Sequence, residues 1–298
     1  MKQTFQSVSE AFYKLQLDWL QALKDIDPTL IIQCDDVNDE HHCNHVRAIH
    51  GGQIIEKGAI HFSRLRGNRL PTAATERFPD YHHEPFDVTG MSLIIHPKHP
   101  HAPTVHANVR YFSVKSETLP ELCWFGGGAD LTPHFVYEDD ARAWHQSLYQ
   151  ACEAFEPGSY QRFKAWCDDY FFLPHRQETR GIGGVFFDYL HQSSPDACVT
   201  FAKALSQHVQ TQYLNILHKR SDLPIDPSDV EFQRYRRGRY VEFNLLHDRG
   251  TRFGLEYGSR TESVLNSMPP NAKWEYQGKH SAQLALAPYL VKGTNWVD

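Results

Sequence analysis

Residues 88–133 read VTGMSLIIHPKHPHAPTVHANVRYFSVKSETLPELCWFGGGADLTP, and the runs 88–97, 104–114 and 122–133 within them each have strand character. Clusters of proline and histidine break the chain between the runs. Three such runs in close succession predict the core of a β-sheet. Gly126-Gly127-Gly128 lacks the lysine and the spacing of a phosphate-binding loop. These glycines therefore predict close backbone approach or an unusual turn, and nucleotide binding is not supported.

Upstream, Ser7 and Glu10 form a candidate capping box ahead of Val8, Phe12, Leu15, Leu20, Leu23 and Ile26, whose spacing predicts an amphipathic helix. Residues 31–58 hold the cluster DDVNDEHHCNH and the pair Gly51-Gly52, which predict a surface loop before a strand from Ala59 to Leu65. His41, His42, Cys43 and His45 have metal-ligand chemistry. No second cluster stands at a zinc-motif spacing, which favours a solvated loop.

Downstream, residues 141–155 after Asp139-Asp140, and 160–172 after Ser159, have helical spacing with aromatic inner faces. His175, Arg176 and Arg180 fall in the loop that follows, ahead of a short strand. Ser194-Pro195 predicts the start of a long helix reaching about His218, a short helix is expected from Ser228, and a last one from Ser281 to before Gly293. Between these lies RYRRGRYVEFNLLHDRGTRFGLEYGSR (234–260), with seven arginines and three acids. Val241, Phe243 and Leu245 alternate with Tyr240, Glu242 and Asn244, and Phe253, Leu255 and Tyr257 resume the alternation after His247–Gly250. Period 2 on both sides of a turn predicts a β-hairpin, closed by the corner Gly258-Ser259-Arg260. Its arginines either pair with Glu242, Asp248 and Glu256 or leave an anion site, to which the fixed guanidinium fork is suited.

At 298 residues, 41% hydrophobic and 22% charged, the chain has the composition of a globular protein able to bury a large core. Strands clustered mid-chain and late, with helices between them and no repeat or linker, predict one α+β domain over 1–298. Its expected form is a large antiparallel sheet flanked on both faces by helices. A net charge of −6 argues against general affinity for nucleic acid or anionic membranes, and RYRRGRY does not reverse that in an acidic protein. No apolar run approaches the roughly 18 residues of a membrane span. The start MKQTFQSVSE lacks a basic region followed by an apolar core, so a cytoplasmic protein is expected. The six cysteines form no C-x-x-C pair, which predicts reduced structural thiols.

With HANVRYF (106–112), WFGGGADLTP (124–133), WCDDYFFLPHRQETRGIGGVFFD (166–188) and RRGRYVEFNLLHDRGTRFGLEYGSRTES (236–263) in fixed order, the chain closely resembles the oxygen-dependent coproporphyrinogen III oxidases over roughly residues 45–297. The resemblance implies a large antiparallel sheet between helices and a homodimer with about residues 240–276 at the contact. It also implies oxidative decarboxylation of the ring A and B propionates of coproporphyrinogen III to vinyl groups. O2 is the co-substrate, CO2 and H2O2 are released, and no organic cofactor takes part. Ser92, Asn108, Val109, Arg110, Gly258, Ser259 and Arg260 match substrate-contact positions, with Arg110 as a propionate anchor. His106 matches a proton donor, whose plain alternative is a strand-end histidine bonded to a carbonyl. Asp248 matches an acceptor for pyrrole N–H groups, whose alternative is an ordinary turn aspartate. His96, His106, His145 and His175 match four positions proposed as ligands of a divalent metal, although the implied reaction proceeds without one. The segment CNHVRAIHGGQIIEKGAIHFS (43–63) departs from the family pattern by lacking its triple glycine, which bears on the shape of a loop near the site. Two rival readings remain at this point: a non-haem iron oxygenase using His82-His83-Glu84, and a porphyrin carrier without catalysis.

Overall fold

Alternation along extended strands gives the sheet two unlike faces, one apolar and one polar, and the helices are distributed accordingly. The computed structural model describes residues 4–39, 42–70, 72–191, 193–256 and 261–297. Helix α1 (Phe5–Ile26) is followed by β1 (Ile31–Asn38), β2 (His42–His50), β3 (Ile55–Gly67), the single turn α2 (Thr72–Thr75), β4 (Phe86–Pro97), β5 (Thr104–Val114) and β6 (Leu122–Thr132). Then come α3 (Glu138–Phe155), α4 (Ser159–Tyr170), the short pair β7 (Phe172–Leu173) and β8 (Glu178–Thr179), and β9 (Gly183–Leu190). Helices α5 (Pro195–Ser221), α6 (Pro227–Leu246), α7 (Arg249–Glu256), α8 (Thr261–Leu265) and α9 (Ser281–Leu286) complete the order. Among the described residues, seven strands form one antiparallel sheet in the order β1-β2-β3-β4-β5-β6-β9. The three runs quoted first are β4, β5 and β6, each displaced by no more than two residues at either end.

On the apolar face, Met91, Leu93 and Ile95 of β4, Val105, Ala107, Val109 and Tyr111 of β5, and Phe125, Ala129 and Leu131 of β6 join one core with α1, α3 and α5. Phe12, Trp19 and Trp144 are fully buried there, and each contributes about 1.5–3 kcal/mol or more through burial. Helix α4 lies along β9 and touches both of its faces. Phe163 meets Phe187 on the apolar side, while Trp166 and Tyr170 meet Phe186 on the other. Helix α6 covers the polar face, with Tyr240 against Ala59 and Ile94, and Phe243 against Phe171 and Phe186.

Residues 234–246 and 249–256 are helical, not the expected β-hairpin, and Tyr257 lies outside the described residues. Asp226 caps α6 through a capping box with Asp229, and Pro227 occupies its first turn. The buried positions Phe232, Arg236, Tyr240 and Phe243 recur at helical spacing. Hydropathy hides that stripe because part of it is charged. Arg236 pairs with Glu178 at 2.8 Å, Arg237 with Glu56 at 2.8 Å, and Arg239 with Glu242 at 2.8 Å. Leu245, one of the apparent inward strand positions, is 44% exposed. The short helix expected from Ser228 is the first turn of this element.

Residues 31–58 are not a loop. They build β1, β2 and the start of β3, with Ile31–Asn38 paired residue by residue to Cys43–His50. Arg47 pairs with Asp36 across this hairpin, and His45 packs against Tyr13 and Phe62, so polar side chains serve as sheet residues. The segment that departs from the family pattern is therefore strand for most of its length. His41 lies outside the described residues. Helix α1 is capped by Thr4, whose Oγ1 accepts from Ser7 N at 3.2 Å, so the box expected at Ser7 and Glu10 sits one turn earlier. Ser194 caps α5 as expected.

Candidate active site

The polar face of the sheet carries the chemistry. Pairing between β4, β5 and β6 places His106 between Ile94 and Asp130, Asn108 between Ser92 and Gly128, and Arg110 between Gly90 and Gly126. His106, Asn108 and Arg110 thus point to the α6 side. Val109, expected as a substrate contact, points the other way into the apolar core. Period 2 puts neighbours on opposite faces.

Asp130 and Arg180 form the anchor of this face. Arg180 Nη2 donates to both oxygens of Asp130 at 2.9 and 2.7 Å, and its Nη1 donates to Asn244 Oδ1 of α6 at 2.8 Å. The guanidinium carbon lies 4.2, 4.6 and 4.8 Å from the ring centres of Phe171, Tyr240 and Phe243. Such ring faces favour a desolvated cation. Burial pushes the Asp130 carboxyl upward, but the charges and hydrogen bonds of Arg180 and His106 outweigh it and hold the group below its ordinary value. Being ionised, Asp130 only accepts, so the 2.9 Å bond to His106 Nδ1 places a proton on that nitrogen. His106 Nε2 is left with a lone pair facing Asn108 Nδ2 at 3.5 Å.

Arg110 Nη2 donates to Asp188 Oδ2 at 2.7 Å, and Arg249 of α7 stands 3.8 Å from the same oxygen. Two guanidiniums around one carboxylate leave a local positive charge. Gly126 makes room for the pair: a Cβ there would lie 2.6 Å from Asp188 Oδ1 and 2.8 Å from Arg110 Nε. Asp248 sits at the α6–α7 junction, not in a hairpin turn. It accepts from Thr251 N at 2.7 Å, as a helix cap does, and from Tyr170 OH at 2.9 Å. Burial and then Asp248 push the Tyr170 hydroxyl up to about 12, so it remains a donor. Ser92 is half-buried on β4. Gly258, Ser259 and Arg260 lie outside the described residues.

The four histidines matched to a metal are not brought together. His96 is buried between Thr104 Oγ1 at 3.2 Å and Ser267 O at 2.9 Å. His145 is buried on the apolar side of the sheet, between Tyr160 OH at 2.9 Å and Ile182 O at 3.0 Å. His175 bonds Glu242 at 2.9 Å and His247 at 3.3 Å. With these nitrogens engaged and His145 across the sheet from His106, the set does not fit one ion. Among the described residues no group of three or more His, Cys, Asp or Glu side chains is arranged to hold one.

Asp130 and Asp188 were missed in the sequence, and Arg180 was placed only in a loop. A carboxylate inside a strand of glycine and apolar residues, as in GGGADL and GVFFD, was the available signal.

A family model described as coproporphyrinogen III oxidase matches residues 7–296. Proteins named oxygen-dependent coproporphyrinogen-III oxidase, from the Dugway and Nine Mile phase I strains of Coxiella burnetii, are each 48% identical to this chain over 257 residues. The matches cover 85% of this chain and 82% of each relative. The fold, its polar face and these matches define an oxidoreductase. Within that class, the chain belongs to the coproporphyrinogen III oxidase family.

Proposed function

We propose that residues 1–298 act as a single catalytic domain that converts the ring A and B propionates of coproporphyrinogen III to vinyl groups, giving protoporphyrinogen IX in haem biosynthesis. For each propionate the balance is –CH2CH2COO⁻ + O2 + H⁺ → –CH=CH2 + CO2 + H2O2. The bond to the carboxylate carbon breaks and its electron pair becomes the new C=C. The β-carbon gives up a hydrogen with two electrons, and O2 takes both, with a second proton, to form H2O2.

The carrying observation is the polar face itself, where His106, Asn108, Arg110 and Ser92 stand together under α6 in a chain of this family. Arg110, set by Asp188 and joined by Arg249, holds a propionate bidentately. Asp248 has acceptor capacity left for pyrrole N–H groups. His106 takes a proton at Nε2, where Asp130 stabilises the imidazolium, and passes it to the reduced oxygen. Gly258, Ser259 and Arg260 supply further substrate contacts. Preorganised charge and positioning account for the protein's share of the rate. No organic cofactor enters this scheme, and no step is routed through a metal.

The protein works as a cytoplasmic homodimer in this reading. No disulfide joins its six cysteines, and Cys34 is exposed, as a reducing compartment maintains them. Leu245, Leu246, Leu255, Leu265, Trp274 and Tyr276 are exposed within 240–276, and they would be covered by a second copy.

The test is conversion of coproporphyrinogen III by purified protein in air, with parallel samples under argon or dialysed against chelator. Vinyl product is expected in air and after chelation, and none under argon. Arg110→Ala and Asp248→Ala should abolish turnover in folded protein. Tight binding of the porphyrinogen with no product in air would refute the reaction in favour of a carrier.

A further inference from the structure

The row that holds Ser92 and Asn108 continues onto a third strand. His61 of β3 pairs in register with Ser92 of β4, which pairs with Asn108 of β5, so all three side chains stand on the α6 side of the sheet. Among the described residues, two buried polar atoms in that row have no hydrogen-bond partner: His61 Nε2 and Asn108 Oδ1. Buried polar atoms in folded proteins are nearly always satisfied, so two orphans on either side of Ser92 in one row of the polar face mark where a ligand completes the bonding.

The two orphans ask for different partners. Asn108 is oriented by His106, whose Nε2 lone pair faces the amide nitrogen, and its Oδ1 is an acceptor in need of a donor. The only donors on an ionised porphyrinogen are its pyrrole N–H groups, at the centre of the macrocycle. Burial alone pushes the His61 imidazole down to about 4, so near neutrality it is uncharged and carries one N–H. Two interstrand spacings separate it from Asn108, about 10 Å, which sets it under the rim of a ring centred on Asn108, where the propionates are.

We propose that His61 is the third substrate-contacting side chain of this row, beside Ser92 and Asn108, donating its Nε2–H to a propionate of coproporphyrinogen III while Asn108 Oδ1 accepts from a pyrrole N–H. The inference rests on the reaction proposed above. An uncharged donor orients a carboxylate without neutralising it, which suits a propionate that must be positioned and later released.

The experiment compares wild type, His61→Leu and His61→Gln in steady-state turnover of coproporphyrinogen III in air. Removing one hydrogen bond to a charged group should raise KM about tenfold in His61→Leu with kcat nearly unchanged. His61→Gln, whose amide nitrogen reaches the place of Nε2, should restore most of the affinity. In 15N-histidine-labelled wild type, the His61 Nε2 resonance should move when coproporphyrinogen III is added under argon. This readout does not depend on a variant folding. A wild-type KM in folded His61→Leu, or a resonance that stays put while wild type turns over in air, overturns the assignment. Absence of turnover in wild type would instead remove the reaction, and the inference with it.

Discussion

Asp130→Asn takes one charge from the centre of the polar face at nearly constant volume. Asp130 accepts two bonds from Arg180 and one from His106, and the Asp130 and Arg180 side chains are each 2% exposed. Removing one partner of such a pair strands the other as a buried charge, at about 3–5 kcal/mol. Arg180 keeps its bond to Asn244 and its three ring faces, which argues for the lower end. For a chain of this size about 3 kcal/mol corresponds to a fall in Tm of roughly 5 °C. The effect on catalysis is separate. An amide can turn its N–H toward His106 Nδ1, moving the ring proton to Nε2, and it no longer stabilises the imidazolium. General acid–base catalysis contributes about 10²–10⁴-fold, and a loss in that range is expected in kcat of the folded variant at 25 °C. Calorimetry and turnover read the two effects independently, and the double variant Asp130→Asn/Arg180→Gln should lose less stability than the sum of the singles. A variant with wild-type Tm and wild-type kcat would refute the account of this face. A lowered Tm with full kcat would confine Asp130 to a structural role and detach His106 from proton transfer.

Gly126→Ala should fold yet lose turnover, because its new Cβ meets the side chains of Asp188 and Arg110. Gly184→Ala should misfold, because its Cβ would lie 2.0 Å from the backbone oxygen of Ala129; a soluble-yield and circular-dichroism comparison separates them. Tyr170→Phe removes the donor to Asp248 but keeps the stack on Phe186 at 4.4 Å, so it should cost about 1 kcal/mol of stability by urea titration. It should also reduce kcat/KM. Acid should destabilise the protein before any carboxylate titrates. His134 and His145 are pushed to about 3, His61 to about 4 and His96 well below 6.5, all mainly by burial. Unfolded histidines take up protons as pH falls through 6.5 while these folded ones do not. Stability is therefore full above that value and drops by up to about 1.4 kcal/mol per pH unit for each group below it. Urea midpoints at pH 7.5 and 5.5 that coincide would contradict this.

The sequence by itself determined the central strands, the start of α5 and the family. Runs 88–97, 104–114 and 122–133 bury every second residue under one apolar face, and that demand is written directly in hydropathy. The long motifs likewise carry the identity of His106, Asn108 and Arg110. Tertiary structure alone decided α6 and the β1–β2 hairpin. In both, inward or cross-strand positions are taken by charged residues whose burial is offset by partners far along the chain, such as Glu178 for Arg236 and Glu56 for Arg237. Hydropathy reads those arginines as exposed, and only the pairing makes them interior. The site followed the same rule. Asp130 meets Arg180 across 50 residues and Arg110 meets Asp188 across 78, so neither pair leaves a local pattern. Local periodicity records which face of an element is apolar, whereas charge compensation is a property of the assembled fold, and the polar face of this enzyme is built from the second.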